Sequence, residues 1–137
     1  MLPRKEILLL FNREYTENIN FMGKEILLTS TKPLDPSIVS STIIDGTLNG
    51  SVVTFDSGET SGSVLNGFTI RNGNGTLIGS LRYGGGVYIA VGCSPTISHN
   101  RLVDNSADIG GAIFVEGILA IKSNPSSLDM VVVILTQ

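Results

Sequence analysis

The chain predicts an all-β fold of short, recurring strands, and three observations carry that expectation. The segment Gly50–Gly58 (GSVVTFDSG) has the shape of Gly84–Gly92 (GGGVYIAVG) and returns as Ile109–Gly117 (IGGAIFVEG). A second series is Thr42-Ile43-Ile44-Asp45-Gly46, Thr69-Ile70-Arg71-Asn72-Gly73 and Thr96-Ile97-Ser98-His99-Asn100, whose members lie 27 residues apart both times. Third, 42% hydrophobic residues are combined with only 15% charged ones and 16 glycines. That composition suits a real core linked by many tight turns, and it does not suit a disordered tail. Short apolar strands at a long period mark stacked coils that bury a continuous core. Coils of three short strands fit a three-sided parallel β-helix, here with about four to five coils.

The elements follow in order. Glu6 to Phe11 is a short apolar strand, and Asn12-Arg13-Glu14-Tyr15 reads as a turn. Glu17 to Phe21 alternates polar with apolar residues, the pattern of a half-buried strand. Glu25 to Ser30 is the next strand, and Thr31 to Pro36, with two prolines, reads as a loop. Ile38-Val39 then leads into Thr42-Ile43-Ile44, which stops at the turn signal Asp45-Gly46. Further strands are expected near Val52–Phe55, Ser63–Leu65, Phe68–Ile70, Val87–Ile89, Thr96–Ser98, Arg101–Val103 and Ala112–Val115. No segment shows a capped helical stripe. The offset from Gly50 to Gly84 is 34 residues, against 25 from Gly84 to Ile109. The excess marks residues 74–82 as an insertion at a turn. Asn72, Asn100 and Asn105 fall at corners, where Gly and Asn tolerate left-handed backbone and where stacked amides can bond from coil to coil.

Charge and motifs exclude several classes of function. At 137 residues there is room for one domain. The net charge is -3 and no basic stripe is present, so nucleic acid is not an expected partner. The one cysteine, Cys93, excludes an intrachain disulfide and a cysteine-rich zinc site, and its surroundings read as a buried coil corner. No apolar run approaches a membrane span. Met1 to Lys5 has the look of a basic leader, but the apolar run behind it is too short for a signal peptide. Gly84-Gly85-Gly86 lacks the Lys and Ser/Thr of a phosphate loop, and no serine sits in a nucleophile elbow.

Residues Gly50 to Asn72, with Gly84 to Asn105, resemble the right-handed β-helix family of pectin-lyase-like repeat proteins, as found in bacterial and archaeal surface or secreted proteins. The residues that carry the resemblance include Ser40–Gly46, Gly58–Gly73, Ser94–Asn100 and Asn105–Ala107 with Gly110–Ile113; Tyr15–Phe21 with Gly23-Lys24 resembles the family's opening coil. The resemblance covers about residues 6 to 117. It implies a right-handed, single-stranded parallel β-helix in a secreted or cell-surface setting. Relatives usually carry a strand, a helix and a leader ahead of the opening coil, whereas this sequence begins almost at it. After Gly117 the pattern also departs, and 118–137 reads as an irregular terminal segment or a cap across an open end. The expectation is therefore one β-helix domain over 1–137, a fragment of a longer solenoid whose open ends can self-associate.

The expected function is a non-catalytic structural or glycan-binding module, with polysaccharide or cell-surface glycan as partner. Insertions on one face of a solenoid often form its binding surface, so Arg82, Tyr83 and Tyr88 are the candidate binding residues. The bland alternative has Tyr88 stacked on neighbouring coils and the insertion merely tolerated. The competing functional reading is a fragment of a polysaccharide lyase or glycoside hydrolase acting on acidic polysaccharide. It draws on Asp45, Asp56, Asp104, Asp108, Arg71, Arg82, Arg101 and His99. The 27-residue series would stack Asp45, Asn72 and His99 at equivalent corners beside Arg71. Asp104 and Asp108 would offer an incomplete oxygen shell for calcium. The residues supply neither a complete metal site nor a cofactor motif, and no catalytic residue is assigned.

Overall fold

A computed structural model describes residues 6–116, together with the backbone of residues 120–122 and 132–134. Its strands are β1 (Glu6–Leu10), β2 (Glu14–Thr16), β3 (Ile19–Asn20), β4 (Ile26–Ser30), β5 (Ile43–Asp45), β6 (Val53–Phe55), β7 (Val64–Asn66) and β8 (Thr69–Arg71). They continue as β9 (Thr76–Ile78), β10 (Leu81–Tyr83), β11 (Val87–Ile89), β12 (Thr96–Ser98), β13 (Arg101–Val103), β14 (Ile113–Val115), β15 (Ala120–Lys122) and β16 (Val132–Ile134). One short helix, α1 (Pro36–Ser41), interrupts them.

All but two strands lie in three parallel sheets. The first runs β1-β4-β7-β12-β15, the second β13-β8-β5-β2 and the third β16-β14-β11-β6-β3. From β1 to β14 the chain visits first, second and third sheet in rotation, leaving only β9 and β10 aside. All-β architecture with parallel sheets visited in rotation fits a β-helix.

The core follows from the two-residue period of strands, which turns every second side chain inward. Leu28, Leu65 and Ile97 align across the first sheet. Ile44, Ile70 and Leu102 align across the second. Ile19, Val53, Val87 and Ile113 align across the third. Ile44, Leu65, Ile70, Val53, Val87 and Ile113 are fully buried. Burying each such side chain contributes about 2 kcal/mol. Phe21 and Phe55 pack together in this interior with ring centroids 4.4 Å apart.

Three sequence expectations need correction. The region read as a loop running into a strand contains α1. Asp35 caps it by accepting the Ser37 N–H at 2.9 Å, and Pro36 sits in the first turn, where its fixed φ costs nothing. The helix buries Val39. Glu14 and Tyr15, read as part of a turn, fall in β2, which pairs with β5. Most consequentially, the 27-residue series mixes two sheets. Thr96–Ser98 pairs with Val64–Asn66 in the first sheet, whereas Thr69–Arg71 lies in the second between β5 and β13. Asp45 is level with Arg71, not with Asn72.

The insertion at 74–82 is an antiparallel hairpin of β9 and β10, with Leu81 opposite Ile78 and Arg82 opposite Leu77. Gly79 supplies the positive φ its two-residue turn requires. Of the terminal segment 118–137, β15 pairs with β12 and β16 with β14, both parallel. The rest of that segment, and the cap expected there, lie outside the described residues. No helix among the described residues is long and apolar enough to cross a membrane.

Candidate functional site: a groove under the hairpin

The third sheet turns Asn20, Thr54, Tyr88 and Phe114 outward in one register row. The hairpin rises beside this row because it is tied down at both feet. At the β10 foot, the Arg82 N–H donates to Asp108 Oδ2 at 2.7 Å, and the Arg82 carbonyl accepts the Asp108 and Ile109 amides. At the β9 foot, Thr76 Oγ1 lies 2.8 Å from Ser51 Oγ, and the Gly50 amide donates to Asn74 Oδ1 at 2.7 Å.

Hairpin and sheet enclose an open groove of about 410 Å³, within the range of small-ligand sites. Its walls include Asn18, Asn20, Asn49, Thr54, Thr76, Leu77 and Arg82. The lining is amide and hydroxyl with one guanidinium, and Leu77 offers exposed apolar surface.

The three candidate binding residues separate here. Arg82 lines the groove and donates from Nη1 to the Gly75 carbonyl at 3.0 Å. Tyr83 packs edge-on against Phe114, with centroids 5.0 Å apart. Tyr88 stacks on Phe114 at 5.6 Å and is only 8% exposed. Burial, helped by the Glu116 and Asp56 charges, pushes its phenol above the ordinary tyrosine range. Asn18, Asn49 and Thr54 were missed by sequence reasoning. They come from separate segments, and only the pairing of β3 with β6 brings them together.

The enzyme candidates converge only in part. Asp45 accepts hydrogen bonds on both oxygens. Its Oδ1 takes the Thr47 amide at 2.8 Å, while Oδ2 takes Arg71 Nε at 3.1 Å and Asn72 Nδ2 at 2.9 Å. Burial opposes its charge, but the Thr47, Asn72 and Arg71 donors outweigh it and hold the carboxyl below its usual value. Arg71 also bridges to Glu14 at 3.2 Å. His99 stands at another corner, its Nδ1 3.1 Å from Asn66 Oδ1. Asp45, Asn72 and Arg71 therefore meet as expected, and His99 alone stands apart from them. Removing a buried, charged acceptor costs about 2 kcal/mol, so Asp45→Ala is expected to lower unfolding stability by that amount in a urea titration.

Asp108 is spent on the Arg82 amide, and Asp104 takes left-handed backbone at a corner with φ of 54°. Among the described residues no group of three or more His, Cys, Asp or Glu side chains is placed to hold a metal ion. Asp56 accepts from Asn20 and Ser57 at the surface, and Arg101 is exposed on β13.

Of the corner asparagines, Asn72 donates to the Asp45 carboxylate, while Asn100 and Asn105 bridge successive passes through backbone groups. Asn100 accepts the Phe68 amide and donates to the Leu65 carbonyl, both at 2.9 Å. Asn105 does the same with Gly73 and Ile70, again at 2.9 Å. Cys93 is buried as expected.

Comparison with protein-family models, with curated proteins and with solved structures finds no match for this chain.

Proposed function

We propose that the chain is a right-handed, pectin-lyase-like β-helix module that binds glycan without turning it over. The setting would be a secreted or cell-surface protein. The carrying observation is the amide- and hydroxyl-lined groove between the hairpin and the outward face of the third sheet. Hydroxyl-rich sugars match such a lining. The rotation of the chain through three parallel sheets supports the solenoid reading. Beyond the groove, the edges of β1, β2 and β3 face one end of the stack, with Ile7 and Leu9 exposed on β1. Open, apolar strand edges favour association, and end-to-end self-association belongs to this reading.

The competing reading, a fragment of a carbohydrate-active enzyme, needs a carboxylate with free oxygens beside a sugar-sized space. Asp45 already accepts protein donors on both oxygens, which weighs against it. The test is glycan-array binding by monodisperse protein, with and without calcium, together with a turnover assay on uronate polymers. Saturable binding without product is the expected result. Thr54→Arg fills the groove from an outward sheet position and is expected to remove binding while leaving the far-UV circular dichroism unchanged. Unsaturated or shortened product would overturn the proposal.

A further inference from the structure

We infer that the groove selects uncharged glycans, ligands that donate hydroxyl hydrogens, over uronates or other polyanions. The inference rests on the proposed glycan-binding role of this groove and adds the ligand's charge. It follows from which hydrogens the lining has already spent.

Asn18 uses both amide hydrogens within the protein. Its Nδ2 donates to the Asn49 carbonyl at 2.8 Å and to the Ser51 carbonyl at 2.9 Å. Its Oδ1 keeps only acceptor capacity. Thr76 is in the same condition. Ser51 Oγ lies 2.6 Å from the Gly84 carbonyl oxygen, which can only accept, so the serine proton points there. Thr76 must then give its own proton to Ser51 across 2.8 Å. Two acceptor oxygens with no hydrogen left to offer thus line the groove. A sugar hydroxyl satisfies such an oxygen, whereas the carboxylate of a uronate has no hydrogen to do so and leaves only the ring hydroxyls for the task.

The charges agree. Arg82 is the one cationic side chain of the lining, and one of its donors is held by the Gly75 carbonyl. Against it stands Asp56, hydrogen-bonded to the lining residue Asn20 at 3.3 Å. Local charge nearly cancels, and the whole chain carries -3. A polyanion therefore meets no favourable field. Thr54, with no intramolecular partner for its hydroxyl among the described residues, and the exposed amide of Asn49 can still donate as well as accept. A polyol, which both donates and accepts at each hydroxyl, uses this mixture fully. Leu77 gives one apolar wall for the C–H face of a ring, in place of an aromatic platform.

The experiment is one array carrying neutral and uronate-containing oligosaccharides of equal length, probed with wild type, Thr54→Val and Arg82→Gln at two salt concentrations. Neutral ligands are expected to bind with little salt dependence. Thr54→Val should weaken them about tenfold, the worth of a good hydrogen bond. Arg82→Gln should change them by no more than about threefold. Binding confined to acidic glycans, lost at high salt and in Arg82→Gln, would overturn the charge preference and leave the glycan-binding role standing. Neutral binding indifferent to Thr54→Val would place the site elsewhere and overturn the inference. No binding to any glycan would overturn both.

Discussion

Glu59→Ala is expected to destabilise the fold by about 3 kcal/mol or more, read as the shift in urea midpoint. Glu59 is only 1% exposed, yet no cation pairs with it among the described residues. Its carboxylate instead gathers donors from three successive passes of the chain. Gly23 N–H reaches Oε2 at 2.8 Å, Ser57 N–H reaches Oε1 at 2.9 Å, and the Cys93 thiol donates to Oε1 at 3.4 Å. A hydrogen bond to a charged group contributes about 1.5–3 kcal/mol. Truncation strands all three donors at once. Burial pushes the thiol of Cys93 up, which keeps it protonated as a donor.

The same carboxylate gives the stability a pH dependence of definite sign. Burial raises its pKa, but the Ser57 and Gly23 amides outweigh burial and hold it below the usual 4.5. A group with a lowered folded pKa stabilises above its unfolded value and loses that stabilisation as pH falls through the folded value. Wild type should therefore weaken below about pH 4.5, with Asp45 adding in the same direction. Glu59→Gln should be less stable at neutral pH and show a flatter acid slope. An unchanged slope would remove Glu59 from this role.

Gly73→Ala is expected to have an effect at least as large. A Cβ at Gly73 would collide with the carbonyl oxygen of Gly85 and would stand 2.8 Å from Val52 Cγ2. The obstacle is backbone on the far side of the hairpin, not the end of a flexible side chain. Overpacking a close-packed interior costs about 1–3 kcal/mol, and more when the backbone must move. The expected result is loss of cooperative unfolding, or a midpoint lowered by the equivalent of about 3 kcal/mol or more. Gly50→Ala is the control for the clash. That site has open space around its Cβ but a φ of 85°, so it tests backbone strain alone and should cost only about 1 kcal/mol.

The sequence made the strands legible, because alternation and β-branched residues mark a pleated surface wherever one face is buried. The hairpin was legible as excess length. Stacking partners were not. In the first sheet the register steps by 20 residues from Glu6 to Ile26, by 37 from Leu27 to Val64 and by 32 from Val64 to Thr96. With passes so unequal, no fixed period selects a partner. Thr69-Ile70-Arg71 and Thr96-Ile97-Ser98 are alike because both are short strands with one inward isoleucine, although they belong to different sheets. Helix α1 escaped because six residues are too few for a stripe, and its prolines masked the Asp35 cap. Glu59, flanked by Gly58 and Thr60, carries no local signal of burial. Only the fold brings Gly23 and Cys93 to it. For the same reason the groove was legible at Arg82, in the insertion, and not at Asn18 or Thr54.

Amide hydrogen exchange with and without the tightest glycan from the array tests the central claim most directly. Ligand protection is expected at residues 18–20, 49–54 and 75–82, the three segments that meet under the hairpin. Protection confined to the open end at β1–β3, or to the corner holding Asp45 and Arg71, would contradict the account.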